Sequence, residues 1–328
     1  MDIYQGAVPG ACLAVLQAGE PVLRRAYGLA DLDNRVEATP ATNYRLASIS
    51  KQFTAAAILL LAEDGRLSID DPVVRWLPRL PGAADITLKH LLTHTSGLPD
   101  YEDLIPGART AQLRDAEVLQ LLEAHPGRYF PAGAAFRYSN SGYVLLGLIV
   151  ERAAGVGFGA FLRRRIFDPL RMRNTVAYEA GVSEVAHRAF GHSRAAPASS
   201  WTRADQSPTS ATLGDGGIYS SIDDLARWDA ALYDSRLLQA ESLRAAFAPQ
   251  VATPDPAVHY GFGWRVSGAA LWHSGETAGF RNVIVRHPER RLSVILLTNR
   301  DAPEPYATAA AVAALYAGRS IISGKPPA

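Results

Sequence analysis

Apolar residues alternate with a strand's period of two at both ends of the chain and recur with a helix's period between them. This switch of period restricts the fold more than any other feature of the sequence. From Gly10 to Gly28, the run Cys12-Leu13-Ala14-Val15-Leu16, a turn at Ala18-Gly19-Glu20-Pro21 and the resumption at Val22-Leu23 predict a hairpin. The last third repeats the pattern at His259 to Val266, Leu271 to His273, Asn282 to His287 and, after a turn at Pro288 to Arg291, Leu292 to Leu297. Short turns between these runs predict antiparallel pairing. The alanine-rich stretch Pro305 to Ala317 suits a closing helix. Helical patterns fill the middle: Ile49 to Glu63, Ile86 to Thr93, Ala116 to His125, Tyr143 to Ala154, Phe158 to Phe167 and Ile222 to Tyr233. The economical arrangement is an α+β fold. An antiparallel sheet domain from both chain ends, flanked by helices, takes residues 1–70 and 210–328; a mainly helical domain, 71–209, is inserted between them, and a cleft is expected at the junction. Ala195 to Ser210, rich in Ser, Ala and Pro, reads as a long surface loop.

With 328 residues, 48% of them hydrophobic, the chain can bury a large core. Its 33 basic and 32 acidic residues nearly cancel, so no field exists to gather nucleic acid, phosphates or anionic lipid, and a small-molecule partner is expected. Cys12 is the only cysteine, which excludes internal disulfides and thiolate metal clusters. Met1 to Gly6 show no basic segment leading into an apolar run, and no stretch approaches the ~18 apolar residues of a membrane span. A cytoplasmic chain is expected from this, or a periplasmic or secreted one where a leader has been removed.

Only three of the basic residues are lysines, Lys51, Lys89 and Lys325, so each needs a reason. Lys325 lies in a polar tail and Lys89 on a short amphipathic helix. Lys51, in contrast, opens the strongly apolar helix Phe53 to Leu61. Lysine can give up its proton when desolvated, whereas arginine stays charged, so only lysine serves there as a proton acceptor. Ser48 precedes it by three residues, which at a helix start puts both side chains on one face, with Cβ atoms about 5–6 Å apart. The competing explanation makes Ser48 a helix cap, but a capping box wants Glu or Gln where Lys51 stands.

Tyr138-Ser139-Asn140 lies in a polar loop just before a helix, and Tyr138 beside Lys51 would give a coupled acid and base. Asn140 as a helix cap and Tyr138 as a packing residue is the plainer alternative. A third segment, His273-Ser274-Gly275-Glu276, carries a polar strand into the glycine-rich turn Thr277 to Phe280, where small residues let a substrate approach the backbone.

In this order and spacing, the three motifs resemble those of the serine β-lactamase and penicillin-binding protein superfamily, whose signature is S-x-x-K, S-D-N and K-T-G. Tyr-Ser-Asn and His-Ser-Gly at the second and third motifs resemble the branch holding class C β-lactamases, D-alanyl-D-alanine carboxypeptidases, D-aminopeptidases and β-lactamase-like esterases. Leu91-Leu92-Thr93-His94-Thr95-Ser96-Gly97-Leu98-Pro99 and Gly214-Asp215-Gly216-Gly217-Ile218-Tyr219-Ser220 are similar to recurrent stretches of that branch, and the likeness spans Gly10 to Asn299. The resemblance implies a serine hydrolase in which Ser48 attacks a carbonyl while Lys51 and Tyr138 relay the proton. It also implies that Asn140, His273, Ser274, Gly275 and Glu276 contact the substrate, and that the backbone N–H groups of Ser48 and Glu276 hold the oxyanion. It implies no cofactor and no metal.

Competing chemistries have weak support. His90 and His94 stand at i and i+4 but lack the glutamate of a zinc helix; no G-x-S-x-G elbow occurs; Gly155 to Gly159 lacks the lysine of a phosphate loop. Because His273 replaces the lysine of the third motif, a substrate carboxylate has a weaker partner there. An esterase or a D-amino-acid-specific peptidase is therefore expected ahead of a class C-like β-lactamase. The third alternative is a non-catalytic binding protein that retains the fold.

Overall fold

The computed structural model describes residues 1–194 and 200–317. Eight strands form the main sheet, numbered here in chain order: β1 Ala11–Gln17, β2 Glu20–Tyr27, β3 Val251–Ala252, β4 His259–Tyr260, β5 Arg265–Ser267, β6 Ala270–Thr277, β7 Phe280–His287 and β8 Leu292–Thr298. Their order in space is β3-β4-β5-β6-β7-β8-β1-β2, every pair antiparallel. The sheet is thus closed by its two chain ends: β1 pairs with β8 from Ala11 opposite Thr298 to Gln17 opposite Leu292.

Strand β1 shows why the alternation at the ends matters. Cys12, Ala14 and Leu16 point into the larger core, and Ala11, Leu13 and Val15 into a second one on the other face. That second core is capped by Ala309 and Ala313 of a C-terminal helix, Tyr306–Ala317, at the expected place. On the opposite face lies α1, Lys51–Glu63, in which every residue from Lys51 to Leu61 is buried. A helix apolar all round belongs inside a core, and it carries its one lysine there with it.

The other helices are α2 Leu88–Leu92, α3 Asp115–Glu123, α4 Asn140–Ala154, α5 Phe158–Leu162, α6 Ile222–Ala231 and α7 Ala240–Phe247. The expected helix over Phe158 to Phe167 loosens into a π turn at Arg163–Phe167. Helix α7 escapes the sequence reading because only Leu243 and Ala246 of its eight residues are buried, too few turns to mark a period. The expected loop at Ala195 to Ser210 is partly strand, since Thr202–Arg203 pairs with His192–Ser193; residues 195–199 lie outside the described ones. A three-stranded sheet, Tyr44–Arg45, Ile218–Ser220 and Val176–Ala177, joins segments far apart in the chain. Among the described residues, no single helix is long and apolar enough to cross a membrane.

One buried ion pair pins α6 to the sheet. Arg286 Nε on β7 donates to Asp229 Oδ1 at 2.5 Å, Ser293 Oγ adds a bond to the same oxygen at 2.7 Å, and both charged side chains are sealed from solvent. Asp229→Ala leaves a buried guanidinium without its charge partner and is expected to cost about 3–5 kcal/mol, read as a lower urea midpoint. Adding Arg286→Met should recover part of that loss.

Candidate active site

The sequence Tyr44-Arg45-Leu46-Ala47-Ser48 runs off a short strand into a 3-10 turn, Ala47–Ser50, that feeds α1. Leu46 N–H donates to Ile218 O at 2.8 Å, Asn282 Nδ2 on β7 donates to Arg45 O at 2.7 Å, and Ala47 takes a left-handed φ of 50°. A non-glycine residue in that region is strained and persists because its surroundings hold it. The half-buried Ser48 side chain is thereby turned toward Lys51.

Lys51 is fully buried, and its ammonium has three acceptors for three protons: Ser48 Oγ at 3.0 Å, Asn140 Oδ1 at 2.7 Å and the carbonyl of Asp215 at 2.9 Å. Each acceptor is itself fixed. Asn140 opens α4, gives its N–H to Asp100 Oδ2 at 2.6 Å and its amide to Glu102 Oε1 at 3.0 Å. The loop bearing Asp215 is tied by Thr54 Oγ1 to Gly214 O at 2.6 Å, by the Leu213 and Gly214 N–H groups to the Asp115 carboxylate, and by Tyr101 Oη to Asp215 Oδ2 at 3.1 Å. Burial and the neighbouring Asp215 push the Asp115 carboxyl up to about 7. Tyr138 meets the ammonium with its ring, whose centroid lies 5.1 Å from Lys51 Nζ. Four of the expected residues, Ser48, Lys51, Tyr138 and Asn140, are therefore together, although they come from two places in the chain about ninety residues apart.

The third motif closes the other side. Strand β5 pairs with β6 only from Ala270 to Trp272, and beyond that point the turn before Ser48 packs against β6. A Cβ placed on Gly275 would stand 2.0 Å from Leu46 O, so only glycine allows this approach. Gly275→Ala is expected to push β6 off the turn and lower kcat by about 10²-fold, since a small misplacement of reacting groups costs that much; steady-state kinetics beside a thermal melt checks it.

His273 sits deeper than a substrate contact would. Its ring is buried, Nδ1 donates to the Ser274 carbonyl at 2.6 Å, and Nε2 accepts from Tyr260 Oη at 2.9 Å; the carbonyl can only accept, which fixes this tautomer. Burial, then the nearby Arg265 and Lys51 charges, pull the imidazole down to about 3. Its Cε1 proton resonance is accordingly expected not to titrate between about pH 5 and 8, and this ring offers no cation to a substrate carboxylate. Ser274 is half-buried beside it, and Glu276 lines the cleft.

Beside Ser48 the cleft encloses about 40 Å³ between Arg45, Glu102, Asn140, Thr212, Asp215 and Glu276. That is room for a reacting carbonyl. From Glu276 and Thr277 an open groove of about 300 Å³ continues past Ala278 and Arg281 to Asp301 and offers space for the rest of a substrate. A larger surface cavity, about 660 Å³, lies between the β1–β2 turn and α6 and is lined by none of these groups. The sequence reading did not single out Asp100, Glu102, Tyr260 or Asn282. Asn282 had a signal, a buried polar residue just before the run Val283-Ile284-Val285; Asp100 and Glu102 are set by loop geometry, and Tyr260 by strand pairing, that no spacing reveals.

Comparison with known proteins agrees with this arrangement. Penicillin-binding protein 4* of Bacillus subtilis (strain 168) is 32% identical over 335 residues, covering 97% of this chain and 73% of that protein. The chain spans 61% of the length of Protein flp from Staphylococcus aureus, at 28% identity over 91% of its own. Among solved structures, the octameric penicillin-binding protein homologue from Pyrococcus abyssi superposes with a TM-score of 0.84 at 28% identity, over 95% of this chain and 74% of the other. D-amino acid amidase from Ochrobactrum anthropi SV3, solved with L-phenylalanine, gives a TM-score of 0.81 at 27% identity over 94% of both chains. The Beta-lactamase family model matches residues 2–319, and this chain belongs to that family of serine hydrolases.

Proposed function

We propose that this protein hydrolyses amide and ester bonds of small acyl compounds carrying a free amine, through an acyl-enzyme on Ser48. The observation that carries the substrate class is the Glu102 carboxylate, which lines the cleft and is held by the Asn140 amide that also holds Lys51. Asp215 adds a further carboxylate to the lining, and Asp100 stands behind it on the Asn140 N–H. Against them stand Lys51, whose protons are all engaged, and Arg45, which is buried and donates to Ser210 O. Such a cleft favours an ammonium over a carboxylate. The likeness to an enzyme described as a D-amino acid amidase supports this reading and the D configuration.

Chemically, Ser48 Oγ attacks the carbonyl carbon and its proton passes to the Lys51–Tyr138 pair. The backbone N–H groups of Ser48 and Glu276 stabilise the oxyanion, and Tyr138 delivers the proton to the departing amine or alcohol. Water, activated by the same pair, adds to the acyl-enzyme; the acid leaves and Ser48 regains its proton.

The test compares D-phenylalanine amide, N-acetyl-D-phenylalanine amide and nitrocefin. Acetylation should lower kcat/KM by about tenfold or more, the worth of a charge-assisted hydrogen bond, and Glu102→Gln should erase that difference. Equal rates for the free and acetylated amides would remove the amine from the account, and efficient nitrocefin turnover would favour a β-lactamase instead.

A further inference from the structure

Tyr138 lies in a stretch, Phe136 to Ser139, without helix or strand to hold it. A phenol that must exchange protons with Lys51 and a leaving group cannot be left to a free loop. His94 supplies what secondary structure does not. Its backbone carbonyl accepts the Arg137 N–H at 3.0 Å, its ring Nδ1 accepts the Ser139 N–H at 3.2 Å, and its ring lies against the Tyr138 ring with centroids 4.3 Å apart at 36°. One residue thus grips the peptide on both sides of Tyr138 and supports its ring face.

We propose that His94 is a positioning residue, a clamp that sets where the Tyr138 phenol stands over Lys51. This rests on the reading of Tyr138 as the proton carrier. His94 is buried, and Tyr143 and Tyr260 wall its ring at 5.1 and 4.6 Å. Because Nδ1 accepts an amide proton, the ring proton is on Nε2 and the ring is neutral. Burial, followed by the Lys51 charge, holds its pKa well below the ordinary value, so the bond to Ser139 survives throughout the neutral range. The backbone at His94 is left-handed, φ 59°, a conformation tolerated by few residues other than glycine, asparagine, aspartate and histidine. A ring that merely filled the core would need neither that backbone nor those two hydrogen bonds.

Asparagine keeps an acceptor where Nδ1 stands and tolerates the left-handed backbone; glycine tolerates the backbone but has no acceptor; leucine has neither. The full chain and its His94→Asn, His94→Gly, His94→Leu and Tyr138→Phe variants are compared for kcat, KM and thermal melting on p-nitrophenyl butyrate. His94→Leu and His94→Gly should each lose about 10²-fold in kcat with KM within about threefold, while His94→Asn stays within about tenfold of the parent. Glycine rescuing as well as asparagine, or folded His94→Leu at parental kcat, would overturn the clamp. Should the leucine variant not fold, the glycine and asparagine pair decides alone. Full activity in Tyr138→Phe would instead overturn the role of Tyr138, a failure distinct from that of His94.

Discussion

Ser48→Ala is expected to lower kcat/KM by about 10⁴-fold or more, leaving only what the cleft and its backbone donors provide. The size follows from the route. With no hydroxyl there is no covalent intermediate, and among the described residues the remaining acceptors of the Lys51 ammonium are an amide oxygen and a peptide carbonyl, neither a nucleophile. Folding should survive, because the turn is held by its backbone through Ile218 and Asn282 rather than by the Ser48 side chain. Kinetics on p-nitrophenyl butyrate with a parallel melt separates the two: an unchanged melt with activity gone is the expected pair.

Lys51→Arg should cost nearly as much, about 10³-fold or more, although it keeps the charge. The three acceptors converge on a single nitrogen at 2.7 to 3.0 Å, a geometry that a tetrahedral ammonium satisfies and a flat guanidinium does not. A lysine can also release one of these protons to Tyr138 and then take the proton of Ser48, whereas an arginine keeps its own throughout. If Lys51 acted only as a fixed positive charge, the substitution would retain most of the rate; kcat of Lys51→Arg close to that of the parent would therefore remove the proton transfer from the mechanism.

Much of this was legible in the sequence, for identifiable reasons. The short apolar runs Cys12 to Leu16 and Leu292 to Leu297, each bounded by turn residues, record strands buried on both faces between two cores. Lys51 was legible because one of only three lysines in an arginine-rich chain opens a helix with no exposed side. Other parts of the site were not. The tautomer of His273 depends on the Ser274 carbonyl, and its second hydrogen bond on Tyr260, thirteen residues earlier on another strand. The role of His94 depends on a loop that returns about forty-five residues later, where the helical spacing to His90 suggested only an unconvincing metal pair. Contacts between loops carry no periodicity, and a single sequence shows only periods, spacings and unusual residue choices.

The claim beneath all of this is that the Ser48 hydroxyl, held by Lys51, is a nucleophile. Intact-mass spectrometry after treatment with a fluorophosphonate tests it most directly. One adduct of the reagent's phosphonyl mass, mapped to the peptide containing Ser48 and absent from Ser48→Ala, is the predicted result; an unlabelled parent chain, or a label that persists in Ser48→Ala, would contradict it.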